Sequence, residues 1–235
     1  MITANLNIIQ KQLVDGLEKS EWKKYLYSFV AGKEFLNILE NLLAEANANR
    51  RFTPKIKVLL KCFEECPQKD LKVVLIGQDP YFQLNVADGL AFSCSNTMFL
   101  QKSLTYIYKE IQRTVYNNDY IPYNPDLKGW ANQGVLLLNS AFTTQINVAG
   151  THYNMWESFL QFIIEVLNTM QPTVFILLGK KANSFRPLIS ENHYVLSTTH
   201  PAFAGYSGTN DWDCNDVFNK ANVFLKQHYN QTIKW

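Results

Sequence analysis

The sequence predicts an α/β fold: a single domain with a central four-stranded, mostly parallel sheet flanked by helices. Four short apolar runs without alternating polar residues are typical of strands buried on both faces of a parallel sheet. They cover residues 72–76, 135–138, 173–178 and 193–197. Helical patterns separate the runs, and no repeat, linker or low-complexity tract interrupts this order.

The composition is that of a chain with one substantial core. With 235 residues and 47% hydrophobic content, nothing requires a second domain. No apolar run reaches the about 18 residues of a membrane span, and the first residues lack the pattern of a secretory signal. We therefore expect an intracellular protein without a membrane partner, cytoplasmic in a bacterial host, with a nuclear or viral compartment left open.

Charge and cysteine content narrow the possible partners. The net charge of +2 means that any basic surface for nucleic acid must be local. The four cysteines are too few and too scattered for a disulfide framework. Cys62 and Cys66 lie one helical turn apart without a second ligand pair, so we expect buried free thiols and no metal.

The amino-terminal portion, about residues 1–65, is predicted to be helical. Its apolar residues recur at helical spacing, as in Phe35, Leu36, Leu39, Leu42 and Leu43. Thr53 and Pro54 suggest an N-cap and a first-turn proline for a helix over 55–64. No catalytic pattern occurs in this portion.

Further helices are predicted between and after the strands. Ser103 could cap a helix that extends to Val115. Other helical patterns cover residues 154–169, a segment after Gly179, and residues 215–228.

The stretch after the first strand, Gly77-Gln78-Asp79-Pro80-Tyr81, presents a carboxylate on a stiff backbone. Gly77 permits a sharp turn, and Pro80 pushes Asp79 towards an extended conformation. An ordinary turn would explain these residues equally well.

Polar side chains follow three of the four strands: Asp79, Asn139 and His200. Open α/β sheets bind ligands beyond the carboxyl ends of their strands, so these side chains would converge if the strands are neighbours. Each residue alone also fits a structural role, as a turn former, a strand-end cap or a core histidine. Their shared topological position therefore indicates a site.

These residue types suit cleavage of an N-glycosidic bond. No serine or cysteine nucleophile stands at a strand-end elbow, and the histidines lack partners at metal-ligand spacing. A carboxylate stabilises an oxocarbenium-like sugar, whereas imidazole and amide donors stabilise a departing base. Asn139 suits the edge of a pyrimidine, Phe92 can stack on the base and Tyr81 can form a wall. This combination indicates action on a nucleotide flipped out of DNA.

The same residues resemble those of family 1 uracil-DNA glycosylases. The resemblance extends from about Lys72 to the carboxyl terminus. Its five segments, in order, are Gly77-Gln78-Asp79-Pro80-Tyr81, Gly89-Leu90-Ala91-Phe92-Ser93, Gly134-Val135-Leu136-Leu137-Leu138-Asn139, His200-Pro201 and Ile233-Lys234-Trp235. It implies a uracil-DNA glycosylase-like domain over 1–235 and a monofunctional DNA-repair enzyme that releases free uracil, leaves an abasic site and needs no cofactor.

The resemblance also implies roles for the individual residues. Asp79 would position water and oppose the sugar cation, and His200 would be a neutral donor to the uracil O2, helped by the Gln78 backbone amide. Asn139 would discriminate against cytosine. Tyr81 would occupy the space that a thymine methyl needs.

Recognition of the base and backbone follows from the same comparison. Phe92 would stack on uracil, and Ser103 would contact a phosphate. The family usually has prolines before this serine, whereas this chain has Gln101 and Lys102, and Lys102 could supply a phosphate contact instead. Phe82 stands where the family usually has histidine, and we expect altered loop packing there.

The largest departure follows His200. The family's leucine wedge aligns with Ala204, and its phosphate-binding serines align with Ala202 and Gly205. Phe203 or Tyr206 could replace the wedge, which offsets an unstacking cost of roughly a few kcal/mol. The expected DNA-binding residues are thus Lys102, Ser103, Pro201, Ala202, Phe203, Ala204 and Tyr206. We expect weaker duplex engagement and a greater preference for single strands than is usual in the family.

Two alternatives remain at this stage. The chain could be a catalytically weakened DNA-binding or protein-interaction module on the same fold, or a glycosylase of broader base choice. The expected partner is uracil-containing DNA, single- or double-stranded, bound by a monomer. A proteinaceous inhibitor or a replication partner stays an open question.

Overall fold

The computed structural model describes residues 2–97, 99–204 and 211–235. The strands are β1 (Phe52–Thr53), β2 (Val73–Gly77), β3 (Val135–Asn139), β4 (Thr144–Gln145), β5 (Val174–Leu178) and β6 (Tyr194–Thr198). The α-helices are α1 (Ile2–Gly16), α2 (Lys23–Val30), α3 (Lys33–Asn47), α4 (Lys61–Glu65), α5 (Lys102–Thr114), α6 (Lys128–Ala131), α7 (Tyr153–Asn168), α8 (Lys180–Asn183) and α9 (Val217–Tyr229). None of these helices is long and apolar enough to cross a membrane.

The central sheet has four strands in the order β3-β2-β5-β6, and every neighbouring pair is parallel. Both inner strands, β2 and β5, consist of apolar residues or glycine and are buried throughout. Branched side chains such as Val73 and Ile176 pack on both faces of such a sheet, which explains why these runs lack polar alternation. The predicted α/β fold class and the four strands are confirmed, each strand to within one residue.

Helices cover the sheet. Helix α7 packs against α2 and α3, and α9 packs against α5, β5 and β6. A cluster of buried aromatic rings fills the space under α7, comprising Phe35, Phe63, Phe142, Trp156 and Phe159. Truncation of one such ring to alanine costs about 3–5 kcal/mol of unfolding free energy. These rings therefore contribute strongly to the packing that holds α7 in place.

The prediction of a helix capped by Thr53 is wrong. Phe52 and Thr53 form β1, which pairs antiparallel with β4, so that Thr53 lies opposite Thr144. Because this pairing takes up the backbone of Thr53, the first helical turn begins only at Ile56, with Lys55 in the capping position.

Three other helix boundaries differ from the prediction. Helix α5 begins at Lys102, so Ser103 lies inside its first turn and does not cap it; Gln101 takes that position, and its carbonyl accepts the Thr105 N–H. Helix α9 begins at Val217 because the two residues before it have φ values of 55° and 58°, outside the right-handed helical region. The helix after Gly179 is only the short α8.

Candidate active site

The sheet places the three predicted side chains at one edge. Gly77, the last residue of β2, pairs in register with Asn139, the last residue of β3. Asp79 follows β2, and His200 follows β6 at the same carboxyl end of the sheet. The convergence expected from the sequence therefore arises from the strand order.

A cavity of about 250 Å³ opens at this edge. It is lined by Gln78, Asp79, Pro80, Tyr81, Phe82, Phe92, Ser103, Ala149, His200, Ala202 and Phe203. The carboxylate and the imidazole thus face a common space. Such a concave site with a few polar groups is typical of a small-molecule or base pocket.

Asn139 lies in the wall of an adjoining cavity. It lines a small neighbouring cavity of about 20 Å³, which shares Pro80, Tyr81 and Phe92 with the larger one. Asp79 and His200 line the larger cavity, and Asn139 lies next to it, across the Tyr81 and Phe92 walls that the two cavities share. Phe92 contributes to the walls of both cavities, so its ring lies at their boundary.

Gly77 leaves room for the side chains of Asn139 and Phe92. A Cβ atom at Gly77 would lie 2.8 Å from Asn139 Oδ1 and 2.9 Å from Phe92 Cε2. Both distances are shorter than van der Waals contact, so only glycine fits without displacement of a neighbour. Glycine at this position therefore leaves space for both the Asn139 amide and the Phe92 ring.

Asp79 is half-buried and held by the loop that precedes α7. The Gly150 N–H donates to Asp79 Oδ2 at 2.6 Å, and the Tyr153 hydroxyl lies 3.5 Å from Oδ1. Burial raises the pKa of the Asp79 carboxyl, and the Gly150 hydrogen bond opposes that shift. The carboxylate is therefore oriented by fixed donors.

The loop that holds Asp79 is itself anchored by a buried histidine. His152 Nδ1 lies 2.7 Å from Thr143 Oγ1, and its Nε2 lies 2.9 Å from Glu45 Oε2 in α3. His152 immediately precedes Tyr153 at the start of α7. A side chain from the amino-terminal helices thus helps to fix the surroundings of Asp79.

His200 is arranged as a neutral hydrogen-bond donor. The Ala202 N–H donates to His200 Nδ1 at 3.2 Å, so the proton of the neutral ring resides on Nε2. Burial lowers the pKa of His200 to about 4, because the charged imidazolium would lose its hydration. At neutral pH the ring therefore offers an N–H without a positive charge.

Gly179 makes room for this imidazole. Its φ is +98°, and a Cβ there would lie 2.9 Å from His200 Cβ and 2.7 Å from Gln78 Nε2. A side chain at this position would be strained in its backbone and would push against the site. The turn after β5 therefore needs glycine.

Phe92 and Tyr81 form a linked pair in the wall. Phe92 has φ of 64°, which is unusual for a bulky residue, and its carbonyl accepts the Tyr81 hydroxyl at 3.0 Å. The centroids of the Phe92 and His200 rings are 5.6 Å apart. Residues with such unfavourable backbone dihedral angles occur more often at functional sites than elsewhere.

The predicted DNA-binding residues occupy different environments. Ser103 is buried in the cavity wall, whereas Lys102 is exposed and is not part of that wall. Pro201 is buried and Ala202 lines the cavity. Around the cavity mouth, Phe203 is 58% exposed, while Ala204 is 1% exposed and so does not face outward as a wedge. Tyr206 and Gly205 lie outside the described residues.

The sequence analysis missed the segment that contacts Asp79, namely Gly150 and Tyr153. The signal that could have found it is its position, since this loop leads from β4 at the carboxyl edge into α7. Across the described ranges, no group of three or more His, Cys, Asp or Glu residues could hold a metal ion.

Comparisons with known proteins agree with one another. Residues 63–226 match the family model described as the uracil DNA glycosylase superfamily. A uracil-DNA glycosylase of Campylobacter jejuni subsp. jejuni (strain 81-176) is 37% identical, with 92% of each chain covered, and one of Amoebophilus asiaticus is 36% identical over 91% of this chain and 96% of its own. The crystal structure of mimivirus uracil-DNA glycosylase is similar with a TM-score of 0.79 and 27% identity, covering 92% of this chain and 86% of that chain. A variant of the mimivirus enzyme in complex with UGI gives a TM-score of 0.81 and 26% identity, covering 92% of this chain and 87% of that chain.

Proposed function

The chain belongs to the uracil DNA glycosylase superfamily, and from this premise we propose that it is a DNA-repair glycosylase. It binds uracil flipped out of DNA, hydrolyses the N-glycosidic bond, releases free uracil and leaves an abasic site. The observation that supports this best is the pairing of Asp79 with a neutral His200 donor across one cavity.

The two polar groups act on opposite ends of the breaking bond. As the bond lengthens, the sugar becomes oxocarbenium-like, and the oriented Asp79 carboxylate stabilises it and positions the attacking water. The departing base gains negative charge on O2, and this oxygen accepts hydrogen bonds from the His200 Nε2–H and the Gln78 backbone N–H. A positioned base contributes typically about 10²–10⁴-fold, and a preorganised donor about 10²–10³-fold.

The walls of the cavity select the base. The Phe92 ring stacks on the pyrimidine, and Tyr81 fills the space of a 5-methyl group, which rejects thymine. Asn139 pairs with the uracil edge and disfavours cytosine. Because Asn139 lines the smaller cavity, this pairing requires the base to sit where the two cavities share their Tyr81 and Phe92 wall.

Contacts to the DNA backbone position the strand. Ser103 stands in the first turn of α5, where backbone N–H groups favour a phosphate. Phe203 is exposed at the mouth of the cavity. It replaces the family's leucine wedge and fills the space that the flipped-out base leaves in the base stack of the duplex. Because Ala204 is buried and cannot fill the stack, duplex engagement depends on Phe203, and without its insertion single-stranded substrate is favoured.

The test is release of free uracil from a single-stranded oligonucleotide that contains one uracil. Wild type and the exposed-site control Asp119→Asn should release uracil and leave alkali-labile sites at equal rates. Asp79→Asn should be slower by about 10² or more, since it loses the charge that opposes the sugar cation. A wild-type chain that binds the oligonucleotide without releasing uracil would instead be the non-catalytic module, and the proposal would be wrong.

A further inference from the structure

Asp88 is a buried carboxylate that the proposed chemistry does not use. It is 3% exposed, and both of its oxygens accept hydrogen bonds. Oδ1 accepts the Leu90 N–H at 3.1 Å. Oδ2 accepts the Ser93 hydroxyl at 2.6 Å, the Ser95 N–H at 3.0 Å and the Ser95 hydroxyl. A buried carboxylate is costly to desolvate unless it is fully paired, so this set of partners calls for an explanation.

The partners of Asp88 lie on both sides of Phe92. The Ser93 N–H donates to the Leu90 carbonyl at 3.2 Å, which closes a turn with Phe92 as its third residue. Turns with a positive φ at this position normally have glycine there. A phenylalanine with φ of 64° therefore persists only if surrounding contacts hold the turn.

Asp88 supplies those contacts at both ends of the turn. Its two oxygens fix the backbone of Leu90 and the side chain of Ser93, and the Ala91 N–H ties the middle of the turn to the Leu137 carbonyl of β3 at 3.2 Å. Lys61 of α4 lies 3.8 Å from Oδ2 and balances the charge. The turn is thus attached to both the sheet and the helix layer.

We propose that Asp88 is a positioning residue for base recognition, which holds the Leu90–Ser93 turn in the strained form that aims the Phe92 ring at the base. This inference rests on the proposed function. The ring forms part of both cavities, so a relaxed turn would move the stacking surface relative to Asn139 and His200. Asp88 itself touches no substrate.

The first test is a double-mutant cycle of Asp88→Asn with Phe92→Ala, measured as steady-state release of uracil from a single-stranded oligonucleotide. An asparagine presents an N–H to donors and cannot satisfy the same partners. Stacking acts on substrate and transition state alike, so Asp88→Asn should raise KM about tenfold with kcat nearly unchanged. In the Phe92→Ala background the same substitution should change KM less than twofold, because the ring through which it acts is gone.

A second pair of variants guards against a failure of Asp88→Asn to fold. Ser93→Ala removes a partner of Asp88 at the turn and should raise KM in the same direction. Thr97→Ala is the matched control: its hydroxyl lies beyond the turn and donates to the Cys94 and Phe99 carbonyls, so KM should stay unchanged. Thermal unfolding of each variant verifies that rates are compared between folded chains. A kcat loss at constant KM, or equal effects with and without the Phe92 ring, overturns the positioning role. Wild type that releases no uracil overturns the proposed function as well, which distinguishes the two failures.

Discussion

Neutrality of His200 predicts a loss of stability on acidification. In the fold its pKa is about 4, against 6.5 as the ordinary value. As the pH falls below 6.5, His200 binds a proton in the unfolded chain but not in the folded chain. The unfolding free energy therefore decreases between about pH 6.5 and pH 4, where His200 of the folded chain also becomes protonated. The full window corresponds to about 3 kcal/mol, and the step from pH 7 to pH 5 to about 2 kcal/mol.

The measurement is urea unfolding of wild type and His200→Gln at pH 7 and pH 5. Other groups titrate in both chains, including His193, whose pKa burial also lowers, so the difference between the chains isolates His200. Between pH 7 and pH 5 the unfolding free energy of wild type should decrease by about 2 kcal/mol more than that of the variant. Parallel losses, or an imidazole of His200 that titrates near 6.5 by NMR, would refute the assignment of a neutral donor.

Three further substitutions test the walls and the mouth of the site. Tyr81→Ala should release thymine from ordinary DNA, which chromatography detects. Tyr81→Phe loses only the 3.0 Å hydrogen bond to the Phe92 carbonyl and should release no thymine. Absence of thymine release by the alanine variant would contradict the role of Tyr81. Phe203→Ala should slow cleavage of duplex uracil DNA at least about tenfold more than that of single strands, since a filled stack helps only the duplex; equal slowing would argue against insertion. Gly77→Ala should lower the unfolding free energy by about 1–3 kcal/mol, because the new methyl group would overlap Asn139 and Phe92. An unchanged midpoint of urea unfolding would show that these side chains can shift to accommodate the methyl group.

The sheet could be predicted because its strands carry their own signal. Runs such as Val73–Gly77 and Val174–Leu178 are apolar on both faces, which few other environments tolerate. The segment around Thr53 gave a false helix signal, because its conformation is decided by pairing with Thr144, a residue distant in sequence. Local propensity yields to tertiary pairing in such cases.

The candidate site was partly predictable for a related reason. Asp79 and His200 follow strands whose ends meet by topology, so the fold class alone brings them to one edge. The loop contacts from Gly150 and Tyr153 depend on how the chain closes between β4 and α7, which no periodicity encodes. The placement of Asn139 beside the larger cavity depends on the position of the Phe92 ring between them, and sequence patterns do not determine a ring position.

The contact between Glu45 and His152 links the amino-terminal segment to the reaction centre. A shortened chain that starts after α3 would leave a fully enclosed imidazole without its acceptor and would strip a cover from the aromatic cluster under α7. Helices α2 and α3, which contain no recognisable motif, should therefore be kept in any minimised version of this enzyme. Engineering for compactness should shorten the exposed loops before it removes these helices.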